Sequence, residues 1–337
     1  SLQVMHPVSH SSTSNPSPPL STYITPAVMS TELLKAIRSF PCDSSGGLDG
    51  LHPLILKDLL QCQQSDSTVR LTARICTLLD VIISSGVPLE IRKIRKLLFG
   101  ALRKKCGGIR PIAVGNTYHP LASKIVCFRI REPVSNFLSP HQLGVYVPNG
   151  AEAAVDTARI YFSSQHLSPK ALVKFNFRNA FSELNRDSML SAVKNNFPSI
   201  YPYVHQSYSR PSDLFLCSGR ILSQCGVQQG DPLAPALFAI TFHSLVMSIT
   251  RELNIWYLDD GTIADTPDLV LSTLERISSL ASNIGLHLNF SKCEVAFLGI
   301  PADTAVELYH SFNAVAPGIQ IMLPTDSCLL GAALTPE

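Results

Sequence analysis

Two adjacent carboxylates, Asp259 and Asp260, follow the apolar run Ile255–Leu258 in the segment NIWYLDDGTIAD. Such a run reads as a strand, Asp260-Gly261 is a hairpin turn signal, and Thr262–Ala264 can return as the second strand. The expectation is a hairpin with both carboxylates at its tip and their side chains on roughly opposite faces. Two like charges held that close are costly without a cation; with one, they form a hard-oxygen site suited to Mg²⁺. A plain Asp-Gly turn with one extra solvated Asp explains the same residues equally well.

Four other segments carry chemistry-bearing side chains. In GVQQGDPLAPALFAI, Gln229-Gly230-Asp231-Pro232 precedes a long apolar run, with Asp231 placed to cap a helix and Pro232 in its first turn. LVKFNFRNAFSELNRDSML reads as a strand running into a helix, with Phe177 and Phe181 as candidate core residues. KKCGGIRPI, with Lys104, Lys105 and Arg110, is a basic glycine turn that suits phosphate contact or a solvated hairpin. In GLHLNFSKCEVAFLG, Lys292 follows an apolar, strand-like run. Taken singly, each segment is explained as ordinary structure: a capped helix, a core Phe, an exposed lysine at a strand end.

The elements that must hold these residues mix two periodicities. ALVKF and NIWYL read as strands; Asn185–Asn195, Leu233–Ile249 and Leu269–Asn283 read as helices, which indicates an α/β or α+β fold. Upstream, Thr31 is placed to cap a helix carrying Leu33, Leu34 and Ile37, and further helices are expected over Pro53–Leu60 and Val69–Ser84. Residues 1–30, rich in Ser and Pro, read as a disordered tail. The most apolar stretch, Pro232–Ile249, is interrupted by His243 and prolines and reads as a buried helix, not a membrane span.

Composition narrows the function classes. The 337 residues are 45% hydrophobic and only 15% charged, enough apolar surface for a core and too little charge for wholesale disorder. The net charge of +2 hides segregation: between Ile91 and Arg110 every charged residue is basic, so the rest of the chain is net acidic. A basic patch of that kind suits a polyanion. The nine cysteines include no C-x-x-C pair, so neither a disulfide framework nor a zinc cluster is expected. No secretory signal is visible at the start, SLQVMHPVSH.

In chain order, these segments resemble the reverse transcriptase domain of non-LTR (LINE-like) retrotransposons. KKCGGIRPIAVG is similar to the fingers motif, QLGVYVPNGAEAA to the segment before the first palm strand, FNFRNAF to palm motif A, and QQGDPLAPALF to motif B. WYLDD, GLHLNFSKCE and CLLGAAL are similar to motifs C, D and the primer-grip hairpin E. The resemblance implies a right-hand polymerase fold of class α+β, with fingers and palm, the palm an antiparallel sheet backed by helices. Residues 31–170 are then mainly fingers with an N-terminal extension. Residues 171–337 are mainly palm, with a fingers contribution around 195–225. Because the chain stops six residues after Gly331, the thumb is expected to be missing.

The implied activity is RNA-directed DNA polymerisation by a two-metal mechanism on an RNA template, a DNA primer and deoxynucleoside triphosphates, inside the cell, nuclear or cytoplasmic, with no membrane and no disulfide partner. Two Mg²⁺ ions are expected in an active relative. Asp259 and Asp260 match its catalytic metal ligands, but the third position, at the end of the motif A strand, is Asn176 where the family pattern has Asp. Lys292 matches the motif D general acid. Phe181 matches the steric gate beneath the sugar, Gln229 and Gly230 the residues near nucleotide and template, and Arg110 the triphosphate contact. Arg92, Lys93, Arg95, Lys96, Lys104 and Lys105 are assigned to template and primer phosphates, and Leu330 and Gly331 to the primer grip. With Asn176 and without a thumb, the polymerase is expected to be impaired. The alternative is an inactive retroelement remnant that at most binds nucleic acid or protein.

Overall fold

A computed structural model of the chain describes residues 25–47, 49–61, 65–84, 97–103, 109–164, 168–216 and 219–335, together with Pro7 and Ser17. Nearly all of the Ser/Pro-rich tail, Arg92, Lys93, Arg95 and Lys96, and Lys104 and Lys105 lie outside the described residues. In chain order, α1 (Ser30–Arg38), α2 (Pro53–Gln61) and α3 (Asp66–Ile83) precede strands β1 (Leu97–Arg103) and β2 (Ile109–Val114). Then come α4 (Tyr118–Leu138), α5 (Gly150–Ser163), β3 (Lys170–Phe175), α6 (Ala180–Glu183), α7 (Arg186–Asn196) and α8 (Tyr201–Tyr208). Strands β4 (Ser212–Leu216) and β5 (Gly219–Ser223) lead to α9 (Ala234–Met247), β6 (Leu253–Tyr257) and β7 (Asp260–Asp265). The last elements are α10 (Pro267–Asn283), β8 (Glu294–Leu298), α11 (Ala302–Val315), β9 (Gln320–Ile321), β10 (Cys328–Leu329) and β11 (Ala332–Ala333).

The chain divides into two compact units, Ser1–Ile130 with Phe181–Leu237, and Arg131–Ala180 with Phe238–Glu337. In the first unit, a four-stranded sheet runs in the order β2-β1-β4-β5, antiparallel except for the β1–β4 pair. Helix α1 begins at Ser30, one residue before the Thr31 cap expected from sequence. The Glu32 carboxylate folds back to accept from the Met29 N–H at 3.0 Å, so the N-terminus is satisfied without Thr31. Leu33, Ala36 and Ile37, at i, i+3 and i+4, form its buried face. Ser65 caps α3 by accepting from the Thr68 N–H at 3.2 Å.

In the second unit, five strands run in the order β6-β7-β3-β8-β9, antiparallel except for β8–β9, and both faces of the sheet are covered. Burial on both faces explains why β3 reads as an almost unbroken apolar run. On one face Leu172, Leu253 and Ala264 pack against Ala154, Val155 and Ala158 of α5 and against Leu329 and Leu334. The opposite face carries Phe175 and Trp256, and Phe242 of α9 meets Trp256 edge-on at 4.9 Å. Phe238 and Phe242 are fully buried, as expected for an apolar run that makes a core helix. No helix among the described residues is long and apolar enough to cross a membrane.

Candidate active site

The face of the second unit's sheet that is apolar under α5 turns polar toward one end. Strand alternation places Leu172, Lys174 and then Asn176 on that face. In the paired strand, Ala264 lies opposite Leu172 and Thr262 opposite Lys174. The ladder ends at Phe175↔Gly261, with Asn176 the next residue after β3 and Asp260 the residue before Gly261 in β7. Asp260 in turn pairs with Tyr257 across the β6–β7 hairpin, whose turn is Leu258-Asp259. Three of the residues singled out from sequence, Asn176, Asp259 and Asp260, therefore gather at one end of this sheet.

The turn differs from the expected Asp260-Gly261. Asp260 and Gly261 belong to β7, and Leu258 takes the left-handed backbone at φ 58. Only the first central residue of the turn has positive φ, the type II′ pattern that normally calls for glycine there. Gly261 serves a different end. Phe175 and Trp256 flank it in register and stack at 5.6 Å with an interplanar angle of 7°, and a Cβ on Gly261 would lie 2.1 Å from the indole. The glycine is where two core rings meet, so the local Asp-Gly signal marks packing and the turn falls two residues earlier.

Asp259 is half-buried and Asp260 is exposed. Protein packed beside the Asp260 carboxyl nonetheless pushes its pKa above the usual Asp value, and the nearby Lys174 ammonium pulls it partly back. Lys174 pairs with the Glu294 carboxylate and donates to the Cys328 carbonyl at 2.6 Å, which ties β3 to the β10–β11 hairpin. That hairpin turns at Leu330-Gly331, both with positive φ (50 and 85), as a type I′ turn requires.

Asn176 is also tied to the segment carrying Lys292. Its carbonyl accepts from the Asn289 N–H at 2.7 Å, and its own N–H donates to the Cys293 sulfur at 3.4 Å. The Cys293 thiol is buried, which pushes its pKa up to about 11. The apolar run before Lys292 is not a strand. Leu288 forms a single bridge to Phe177, and residues Phe290–Lys292 make a 3-10 turn that leads into β8. The two hydrogen bonds of that bridge, from the Arg178 N–H to the His287 carbonyl and from the Asn289 N–H to the Asn176 carbonyl, join the segment to the end of β3, and Lys292 stands exposed before β8 and not at a strand end.

Within the first unit a second group of the singled-out residues converges. The Gln229 carbonyl accepts from the Ala113 N–H at 2.7 Å, joining motif B to β2, the strand that carries Arg110. The Gln229 side-chain amide reaches the Ser182 hydroxyl at 3.5 Å, next to Phe181, whose carbonyl accepts from the Val227 N–H at 2.8 Å. Gly230 holds φ 123. Asp231 does act ahead of α9: one carboxylate oxygen accepts from the Leu233 N–H at 3.0 Å and the other from the Tyr208 hydroxyl at 2.7 Å. Burial, with Asp231 alongside, holds the Tyr208 hydroxyl well above its usual pKa.

Sequence reasoning missed several residues that fix these loops. Arg186 is buried and donates to the Gly226 and Ser223 carbonyls, each at 2.9 Å, and its desolvation pushes the guanidinium down to about 10. Lys174, Cys293 and Gln142 were likewise missed, because each acts on a partner more than a hundred residues away.

A family model described as "Reverse transcriptase (RNA-dependent DNA polymerase)" matches residues 102–312, more than half of the chain. The chain belongs to the reverse transcriptase family. The chain has the right-hand polymerase fold of that family, and its five-stranded sheet is palm-like. It is similar to the retrotransposable element SLACS 132 kDa protein of Trypanosoma brucei gambiense, 26% identical over 307 residues. The match covers 86% of this chain and 24% of that protein, so the chain spans about a quarter of the relative's length. Among solved structures it is similar to an apo telomerase from Candida tropicalis truncated from its C-terminal domain (TM-score 0.46, 13% identity, covering 62% of this chain and 51% of that one). It is also similar to a telomerase from Candida albicans with a fragment of telomeric RNA (TM-score 0.46, 12% identity, covering 65% and 45%).

Reverse transcriptases generally use divalent metal ions. Two carboxylates and an amide oxygen are a hard-oxygen donor set that fits such a cation. Among the described residues, however, no group of three or more His, Cys, Asp or Glu gathers that could hold a metal ion, and the residue after β3 at this sheet end is Asn176, whose amide is neutral.

Proposed function

We propose that this reverse transcriptase is the polymerase domain of a non-LTR, LINE-like retrotransposon, extending a DNA primer on an RNA template with deoxynucleoside triphosphates, and that Asn176 impairs it. The similarity to the SLACS protein supports the element type. The observation that carries the reading is the meeting of Asp259, Asp260 and the Asn176 position at one end of the palm-like sheet.

In this reading Asp259, Asp260 and the Asn176 amide oxygen hold Mg²⁺. Bound there, divalent ions supply Lewis acidity for the attacking hydroxyl and the leaving pyrophosphate. Asp259 and Asp260 would supply the negative charge of the site, and Asn176 would add a neutral oxygen where an Asp would add a third charge. Lys292 delivers a proton to the leaving group as general acid. Phe181 closes the space beneath the sugar, Gln229 and Gly230 border the nucleotide and template, and Arg110 contacts the triphosphate. Leu330 and Gly331 bear on the primer. The basic residues from Arg92 to Lys96, with Lys104 and Lys105, neutralise backbone phosphates, which makes binding weaken as salt rises.

Loss of one of three carboxylates is expected to cost several kcal/mol of transition-state stabilisation, roughly 10²–10⁴ in rate. Primer extension on an RNA template with Mg²⁺ or Mn²⁺, comparing the chain with Asn176→Asp, tests the reading. The Asp form is expected to extend at least about 10²-fold faster. Equal rates overturn the impairment. Silence of both forms, with the fold intact, overturns the polymerase reading in favour of a remnant that only binds nucleic acid or protein.

A further inference from the structure

Gln142 takes no part in the chemistry above, yet its side chain makes three hydrogen bonds to the backbone, two of them to the residue before Asp259. It is 1% exposed. Its amide oxygen accepts from the Leu258 N–H at 2.7 Å and the Gly144 N–H at 3.0 Å, while its amide nitrogen donates to the Leu258 carbonyl at 3.0 Å. Only one orientation of the amide satisfies all three contacts, because two partners are donors and one is an acceptor. Both backbone groups of Leu258 are thus held by one side chain.

Leu258 is the residue that needs holding. A non-glycine residue at φ 58 sits in the left-handed region, which L side chains disfavour. It persists where the surroundings over-determine it. The surroundings here are a short segment laid beside β6: the Trp256 N–H donates to the His141 carbonyl at 2.8 Å, and the Leu143 N–H donates to the Trp256 carbonyl at 2.7 Å. The backbone then passes so close to the turn that a Cβ on Gly144 would lie 2.6 Å from the Leu258 nitrogen. The next residue in the chain is Asp259.

We propose that Gln142 is a positioning residue: it clamps Leu258 in the left-handed turn, and that turn sets the directions of the Asp259 and Asp260 carboxylates toward a divalent cation. The cation role of the two carboxylates rests on the proposed function; the clamp itself does not. The logic is that of outer residues which orient metal ligands without touching the metal, whose loss typically weakens metal affinity by about 10–100-fold.

The test compares the full chain with Gln142→Met, Leu258→Gly, the double variant Gln142→Met/Leu258→Gly, and Asp259→Ala. Hydrogen exchange of the 255–262 backbone reads the clamp, and Mn²⁺ affinity, from the electron paramagnetic resonance of the free ion, reads its consequence. Gln142→Met is expected to speed exchange at Leu258 and Asp259 and to weaken Mn²⁺ binding by about 10–100-fold. Glycine takes the left-handed conformation without penalty, so Leu258→Gly in the Gln142→Met background is expected to restore most of the affinity, which a general loss of packing would not allow. If Gln142→Met fails to fold, Gln142→Glu replaces it. Its carboxylate accepts from both N–H groups but has no donor for the Leu258 carbonyl, and a loss in the same direction is expected. Unchanged exchange, unchanged Mn²⁺ affinity or absence of rescue by Leu258→Gly overturns the proposal. Asp259→Ala separates the two readings. If it leaves Mn²⁺ affinity unaltered, the cation role assigned under the proposed function fails along with the positioning claim, and accelerated exchange in Gln142→Met then marks a clamp of purely structural purpose.

Discussion

Two hairpins in the second unit each place a leucine in the left-handed backbone, and they hold it by opposite means. In the β6–β7 hairpin, Leu258 at φ 58 is followed by Asp259 and not by a glycine, and Gln142 clamps both Leu258 backbone groups from elsewhere in the chain. In the β10–β11 hairpin, Leu330 at φ 50 is followed by Gly331 at φ 85, and the space around Gly331 is open. Local chemistry stabilises the second turn; tertiary hydrogen bonds stabilise the first. The geometry of the turn before Asp259 is supplied from outside the hairpin.

That contrast can be broken from either side. The largest effect is expected from Gln142→Met, which leaves three partly buried backbone groups without this partner and should destabilise the protein by about 3 kcal/mol in urea unfolding. Gly261→Ala drives a methyl into the stacked rings of Phe175 and Trp256 and should cost about 2 kcal/mol. Because Trp256 is the chain's single tryptophan, its fluorescence reports that displacement directly. On the other hairpin, Lys174→Met removes the tie to the Cys328 carbonyl and the partner of Glu294, a partly exposed pair, and should cost about 1–2 kcal/mol while speeding hydrogen exchange over 327–334. Gly331→Ala imposes only the left-handed penalty, about 1 kcal/mol, with no clash. The smallest effect belongs to Leu330→Gly: relief of strain and the added chain entropy nearly cancel, and the melting curve should shift by no more than about 0.5 kcal/mol in stability. An effect of Gly331→Ala as large as that of Gln142→Met would erase the distinction between the two turns.

Much of the framework was legible because it depends on local periodicity. Strand β3 and strand β6 stand where ALVKF and NIWYL place them, and α2 and α7 lie close to the helices expected there. The errors share one cause. Asp260-Gly261 is a turn signal by its own chemistry, but Phe175 and Trp256 need the space above Gly261, so the turn falls at Leu258-Asp259. The run before Lys292 alternates like a strand, but its pairing with the residues after β3 is one bridge long, Leu288 to Phe177, before the backbone turns at Phe290–Lys292. Thr31 is a good cap by type, but the Glu32 carboxylate serves the Met29 N–H instead.

The sequence by itself determined the family resemblance, the order of the motifs, the carboxylate pair and the odd Asn176, since these are matters of residue type and spacing. Only the tertiary structure decided how those residues are presented. Gln142 and Leu258 are 116 positions apart, and Lys174 and Cys328 are 154 apart. A local window contains neither pair. The left-handed turn before Asp259, the register that brings the end of β3 beside the start of β7, and the thiol and amide that hold Asn176 all arise from such long-range hydrogen bonds and steric contacts, whose strength depends on which segments the fold brings together.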